Sequence, residues 1–211
     1  MNKYLAPIAT TLILLGGSPA FAALNIFACV PEWASLANEL GGGKVSVHQA
    51  STALQNPHRI EARPSLVARM RSADLAICTG AELEVGWLPV LLQTAGNRKV
   101  QPGQPGFIFA SDLVDRLEIP IRLDRAEGDV HPGGNPHVQL DPHNIAKIAL
   151  AVTQRLQKLD PANAVYYETR GKDFQAHWQQ ATARWEKEGA PLKGMRLVPY
   201  HKDTVYLIHW L

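Results

Sequence analysis

Short apolar runs alternate with amphipathic stretches through the first half of this chain, and that alternation restricts it to α/β architectures built on a parallel sheet. Residues 24–30 (LNIFACV), 44–49, 74–79 (DLAICT) and 107–110 each have strand length and strand composition. Helical patterns separate them. One opens at Pro31 and carries Trp33, Leu36, Ala37 and Leu40. A second opens at Pro64, with Leu66, Val67 and Met70 on one face, and a third spans 84–95. Proline suits a first helical turn, where its missing N–H has no partner to lose. Buried strands joined by helices imply a sheet covered on both faces. Ligands of such sheets bind beyond the carboxyl ends of the strands.

Beyond residue 140 the pattern turns helical. Asp141-Pro142 caps a helix with Ile145, Ile148, Ala149, Val152 and Leu156 at helical spacing. Asp160-Pro161 repeats the device before a helix expected over 162–188, with Tyr167, Phe174, Trp178, Ala181 and Trp185 on its apolar face. At 1.5 Å per residue such a helix reaches about 40 Å, the length of a strut between two lobes. Residues 195–200 (MRLVPY) read as a new strand, and Val205, Leu207, Ile208 and Trp210 after it lack an evident partner. The domain reading is 1–22 signal peptide, 23–160 N-terminal lobe, 161–190 linking helix and 191–211 the start of a second lobe.

The first 22 residues read as targeting. Lys3 precedes an apolar run over 5–15, and Ala20-Phe21-Ala22 offers a cleavage site. An uncleaved anchor and a lipid attachment at Cys29 are the alternatives. The protein is therefore expected outside the cytoplasm. Cys29 and Cys78 could pair there, but both lie in strand-like runs, and two buried free thiols are the expectation. A formal charge of +2 over 211 residues excludes a bulk field for nucleic acid.

Three of eight histidines sit where loops meet regular elements. His58 and His137 each close an Asn-Pro-His tripeptide, and His201 follows the expected strand at 195–200. Proline stiffens the backbone that delivers the first two rings. Three imidazoles can fill three corners of a tetrahedral zinc site. His131 is close enough in sequence to serve as an auxiliary ligand. Asp129 and Asp141 could orient imidazoles, although Asp141 also reads as a helix cap. His48, His143 and His177 carry structural or solvent roles, His209 carries no inference, and Glu82 and Glu84 could line the cleft, with solvent exposure the default expectation. The sequence contains no HExxH, CxxC, GxSxG or P-loop motif.

The stretches PHRIEARPS (57–65), ADLAICTGAELEVGWL (73–88), GDVHPGGNPHVQLDP (128–142) and YHKD (200–203) resemble the zinc/manganese solute-binding proteins of bacterial ABC importers. The resemblance implies two α/β lobes joined by a long helix, with a divalent metal held between them and delivered to an ABC permease in the inner membrane. It implies metal ligation by His58, His137 and His201, a periplasmic monomer and no enzymatic activity. A fourth, carboxylate ligand late in the second lobe belongs to the family pattern, and this sequence stops short of it, so a C-terminally truncated member is the expectation. An all-imidazole set favours Zn²⁺, with Mn²⁺ as the alternative. A non-transporting fragment, an adhesion-type protein on the same fold and a zinc hydrolase are the competing readings.

Overall fold

The computed structural model describes residues 23–123, 130–199 and 201–211. Its main elements in chain order are β1 (Leu24–Ala28), α1 (Pro31–Gly41), β2 (Val45–Gln49), α2 (Pro64–Arg71), β3 (Leu75–Cys78), α3 (Leu88–Ala95), β4 (Phe107–Phe109), α4 (Pro142–Leu159), α5 (Ala164–Gly189) and α6 (Val205–Trp210). The first four helices all carry proline in their first turn.

The four strands form one parallel sheet in the order β2-β1-β3-β4. From β1 the chain winds first to one side and then, after β2, to the other, so a crevice opens between the carboxyl ends of β1 and β3. One face packs on α1 and α4 through Trp33, Leu36, Leu40, Ile148, Val152 and Leu156. The other packs on α2 and α3 through Leu66, Met70, Trp87, Leu91 and Leu92. The expected parallel sheet covered on both sides is the observed one.

Helix α5 packs along α4 and α1. Gly171 permits the close approach: a Cβ there would stand 2.6 Å from the Thr153 side chain. Tyr167 is fully buried, whereas Phe174, Trp178 and Trp185 are half-buried.

Several local expectations are corrected. Helix α3 starts at Leu88, not at 84, because Trp87 before it has φ −141°, outside the helical region; further back, Gly80, Ala81 and Glu82 all have positive φ (81°, 47° and 66°) and turn the chain. Glu84 is accordingly turned inward. It is 2% exposed, and its carboxylate accepts hydrogen bonds from the Thr79 and Gly80 backbone N–H groups at 2.7 and 3.0 Å. Burial pushes its pKa up to about 7 against the opposing pull of those donors.

Cys29 and Cys78 form a disulfide rather than two free thiols. Ala28 pairs with Ile77 in the ladder, and the Cys29 N–H donates to the Ile77 carbonyl. The next residues on each strand are therefore direct neighbours, with Cα atoms 4.8 Å apart, inside the range a disulfide spans. The bridge closes a sequence separation of 49. Loop-closure entropy assigns such a link about 4 kcal/mol. Reduction is expected to lower the denaturant midpoint accordingly, as checked by urea unfolding with and without a reductant.

Residues 195–199 form no strand. Among the described residues no strand pairs with them, and Met195, Leu197 and Val198 are exposed. A lone extended segment has nothing to take up its backbone hydrogen bonds. Tyr200 lies outside the described residues. The following segment also departs from expectation: 205–210 forms the short helix α6 and folds back onto the body. Tyr206 is buried there, and its hydroxyl accepts from the Leu117 N–H (3.0 Å) and donates to the Asn135 carbonyl (2.9 Å).

Candidate metal centre

The two Asn-Pro-His tripeptides fold the same way. The Asn56 side-chain oxygen accepts a hydrogen bond from the His58 N–H, and Asn135 does the same for His137, both at 3.0 Å. An asparagine side chain that bonds the backbone two residues on makes a self-contained turn, and the intervening proline removes the remaining freedom. Pro57 opens a 3₁₀ turn (Pro57–Arg59), and its carbonyl is held by the Trp87 indole N–H at 2.8 Å. His137 precedes a second 3₁₀ turn, Val138–Leu140. His201 stands in extended conformation before a third, Lys202–Thr204.

These three segments deliver their imidazoles to one point. One ring nitrogen each of His58, His137 and His201 lies within 4.8 Å of the others. The His137 and His201 Nε2 atoms are 3.1 Å apart, with the rings edge to face. Tetrahedral zinc with bonds of about 2.0–2.1 Å needs donor separations of about 3.3 Å. That pair already meets the requirement, and the third ring must approach by at most about 1.5 Å. Softness and geometry of the donor set therefore fit a zinc-sized divalent cation. His131 stacks on His58 with centroids 5.1 Å apart.

Asn135 connects the site to the last segment of the chain. Its side-chain N–H₂ donates to the Lys202 carbonyl (2.7 Å) and to Glu118 (3.1 Å), and its backbone N–H donates to the Leu117 carbonyl (2.8 Å). Lys202 pairs with Glu118 at 3.6 Å. A cavity of about 220 Å³ opens beside this network, lined in part by Glu118, His131 and Lys202. The repeated tripeptide made Asn135 visible in the sequence, but nothing in the sequence marked Tyr206.

The remaining candidates have other positions. The Asp141 side chain caps α4 by accepting from the His143 N–H at 2.8 Å. Asp129 lies outside the described residues. His143 reaches Glu186 at 3.0 Å, His177 is exposed on α5, and His209 is exposed on α6. His48 tilts against Phe27 with centroids 5.9 Å apart. Glu82 is exposed.

His137 is held neutral. Burial and the neighbouring His201 ring lower its pKa from 6.5 to about 4, while Asp203 opposes the shift. A metal meets little proton competition at this ring near neutrality. The consequence for the metal-free protein has a definite sign. Below pH 6.5 an unfolded chain protonates this histidine and the folded chain does not, so stability is full above 6.5 and falls as pH drops toward 4. Thermal unfolding of metal-free protein between pH 7 and pH 4 is expected to show this slope, and His137→Ala is expected to flatten it.

A family model described as ZnuA, zinc-uptake complex component A periplasmic, matches residues 26–211. The metal ABC transporter substrate-binding lipoprotein ScbA of Streptococcus cristatus is 26% identical over 163 residues, covering 76% of this chain and 48% of the relative. The high-affinity zinc uptake system protein ZnuA of Yersinia pestis is 28% identical over 163 residues, covering 72% of this chain and 51% of the relative. The chain thus spans about half the length of the curated relatives it matches. A crystal structure of ZnuA superposes with a TM-score of 0.74 at 22% identity, over 89% of this chain and 67% of that one. Zn(II)-bound AdcA from Streptococcus pneumoniae gives 0.69 at 22% identity, over 88% of this chain and 37% of that one. Shared fold and a family match over nearly the whole sequence lead to one conclusion: this chain belongs to the ZnuA family of periplasmic zinc-uptake components.

Proposed function

We propose that this chain captures a divalent transition metal in the periplasm, zinc in preference to manganese, and hands it to an ABC permease in the inner membrane. His58, His137 and His201 are the ligands in this reading, with His131 as an auxiliary donor at the rim. The observation that carries it is the meeting of three imidazoles from three separate segments within 4.8 Å. The zinc preference follows from the donors: imidazole suits zinc, whereas manganese favours carboxylate and water. Both cargoes occur among the relatives, zinc in the name of the Yersinia pestis protein and manganese in that of scaA from Streptococcus gordonii. Residues 23–160 act as one lobe, 161–190 as the linking helix and 191–211 as part of a second lobe. The chain works as a monomeric receptor without chemistry of its own.

Titration with zinc and with manganese during thermal unfolding tests the reading. A ligand that binds only the folded state, at a hundred times its dissociation constant, adds about 2.7 kcal/mol of stability. Zinc is expected to raise the melting temperature at concentrations where manganese does not. Equal shifts would defeat the preference, and no shift with either metal would defeat capture.

A further inference from the structure

We infer that Cys29, Cys78 and Glu84, once their disulfide is opened, form a second metal site, selective for soft divalent cations such as Zn²⁺ and Cd²⁺. One ligand atom from each of the three side chains lies within 4.8 Å of the others, and all three residues are fully enclosed. The cluster sits between the carboxyl ends of β1 and β3, in the crevice where the winding of the sheet reverses. The surrounding bonds hold its parts in place. The Ser51 hydroxyl donates to the Cys29 carbonyl at 2.8 Å, and the Trp33 indole N–H donates to the Thr79 hydroxyl at 2.9 Å. Each Glu84 oxygen takes one backbone N–H, and the Thr79 side chain bonds the same carboxyl, which holds it facing the sulfurs. The proposal is independent of the imidazole reading, since it shares no residue with it.

The chemistry balances with a dithiol as reductant. The dithiol gives two electrons and two protons to the Cys29–Cys78 bond and closes to its own disulfide, leaving two thiols. The metal then displaces both thiol protons, together with the Glu84 proton wherever that carboxyl is protonated, releases them to water, and binds two thiolates and the carboxylate. Two thiolates beside a carboxylate in an apolar interior are strongly unfavourable alone, and a divalent cation offsets most of that charge. The donor set of two sulfurs and one oxygen selects zinc-like ions over manganese or magnesium. In the oxidised chain the sulfurs are bonded to each other and carry no thiolate to offer.

Cadmium binding to the full chain provides the test, because thiolate–cadmium bonds give an ultraviolet charge-transfer band that imidazoles do not. The chain is compared oxidised and after treatment with a phosphine, which carries away the oxygen of water as it reduces the bridge. Reduction is expected to add one cadmium ion per chain, together with the band. The same increment is expected when His58, His137 and His201 are all replaced by alanine, which separates this site from the first. Glu84→Gln should keep the band and weaken cadmium binding by at least about tenfold, the loss seen when even a ligand's supporting partner is removed. Cys29→Ser and Cys78→Ser should each lose the band. The proposal is overturned if the reduced wild-type chain takes up no extra cadmium, if it unfolds in the presence of cadmium, or if the band survives the serine substitutions.

Discussion

Replacing His137 by alanine is expected to lower zinc affinity on the order of 10²- to 10³-fold. Structural zinc sites supply about 10–16 kcal/mol through four donors, or roughly 2.5–4 kcal/mol each. At about 1.4 kcal/mol per tenfold, that range gives the stated loss. His137 is the donor whose removal should cost most. Its ring is already neutral at physiological pH, and its Nε2 stands 3.1 Å from that of His201. The protein itself should remain folded, because the ring contributes no bond to the sheet or to its two apolar layers. Zinc titration followed by calorimetry checks the affinity, and the melting temperature without metal checks the fold. A variant that binds zinc as the parent does would remove the ring from the site.

Asn135→Ala is expected to act on both quantities. Its side chain accepts from the His137 N–H and donates to the Lys202 carbonyl, so its loss loosens two ligand-bearing segments together. A supporting partner of this kind is worth about 10–100-fold in metal affinity. The buried groups left without partners cost about 1–3 kcal/mol of stability besides. Asn135→Asp keeps the acceptor for His137 but removes the donor to Lys202 and sets a carboxylate against Glu118. It should therefore rescue little. If both variants shift only the melting temperature and leave zinc affinity unchanged, Asn135 is a structural residue alone.

The segments nearest the sheet were the most legible. Each apolar run of strand length between 24 and 110 became a parallel strand, and Pro31, Pro64 and Pro142 stood in first helical turns, whereas Pro161 opens a separate 3₁₀ turn (Pro161–Asn163) ahead of α5 and Asp160 caps nothing with its side chain. These outcomes depend on periodicity and on proline's fixed φ, both local properties. The two Asn-Pro-His turns belong to the same class, since the asparagine, the proline and the histidine N–H are all within three residues.

The errors share a different origin. Residues 195–199 have strand composition, but a strand requires a neighbour, and none of the described strands lies beside them. Glu84 looks like a solvated acid until three successive positive φ values turn its carboxylate onto the Thr79 and Gly80 amides. Cys29 and Cys78 look like separate core thiols until the register of β1 against β3 sets them side by side.

Sequence alone therefore determined the four strands between 24 and 110, their parallel arrangement and the stiff turns that carry His58 and His137, because bonds and spacings within a few residues decide each of these. Tertiary structure alone decided that positions 58, 137 and 201 meet within 4.8 Å, that Tyr206 anchors the last helix to the loop beside them, and that two cysteines 49 residues apart are bonded. Contacts between distant segments depend on strand order, register and packing, and these arise from the whole chain burying its apolar faces at once.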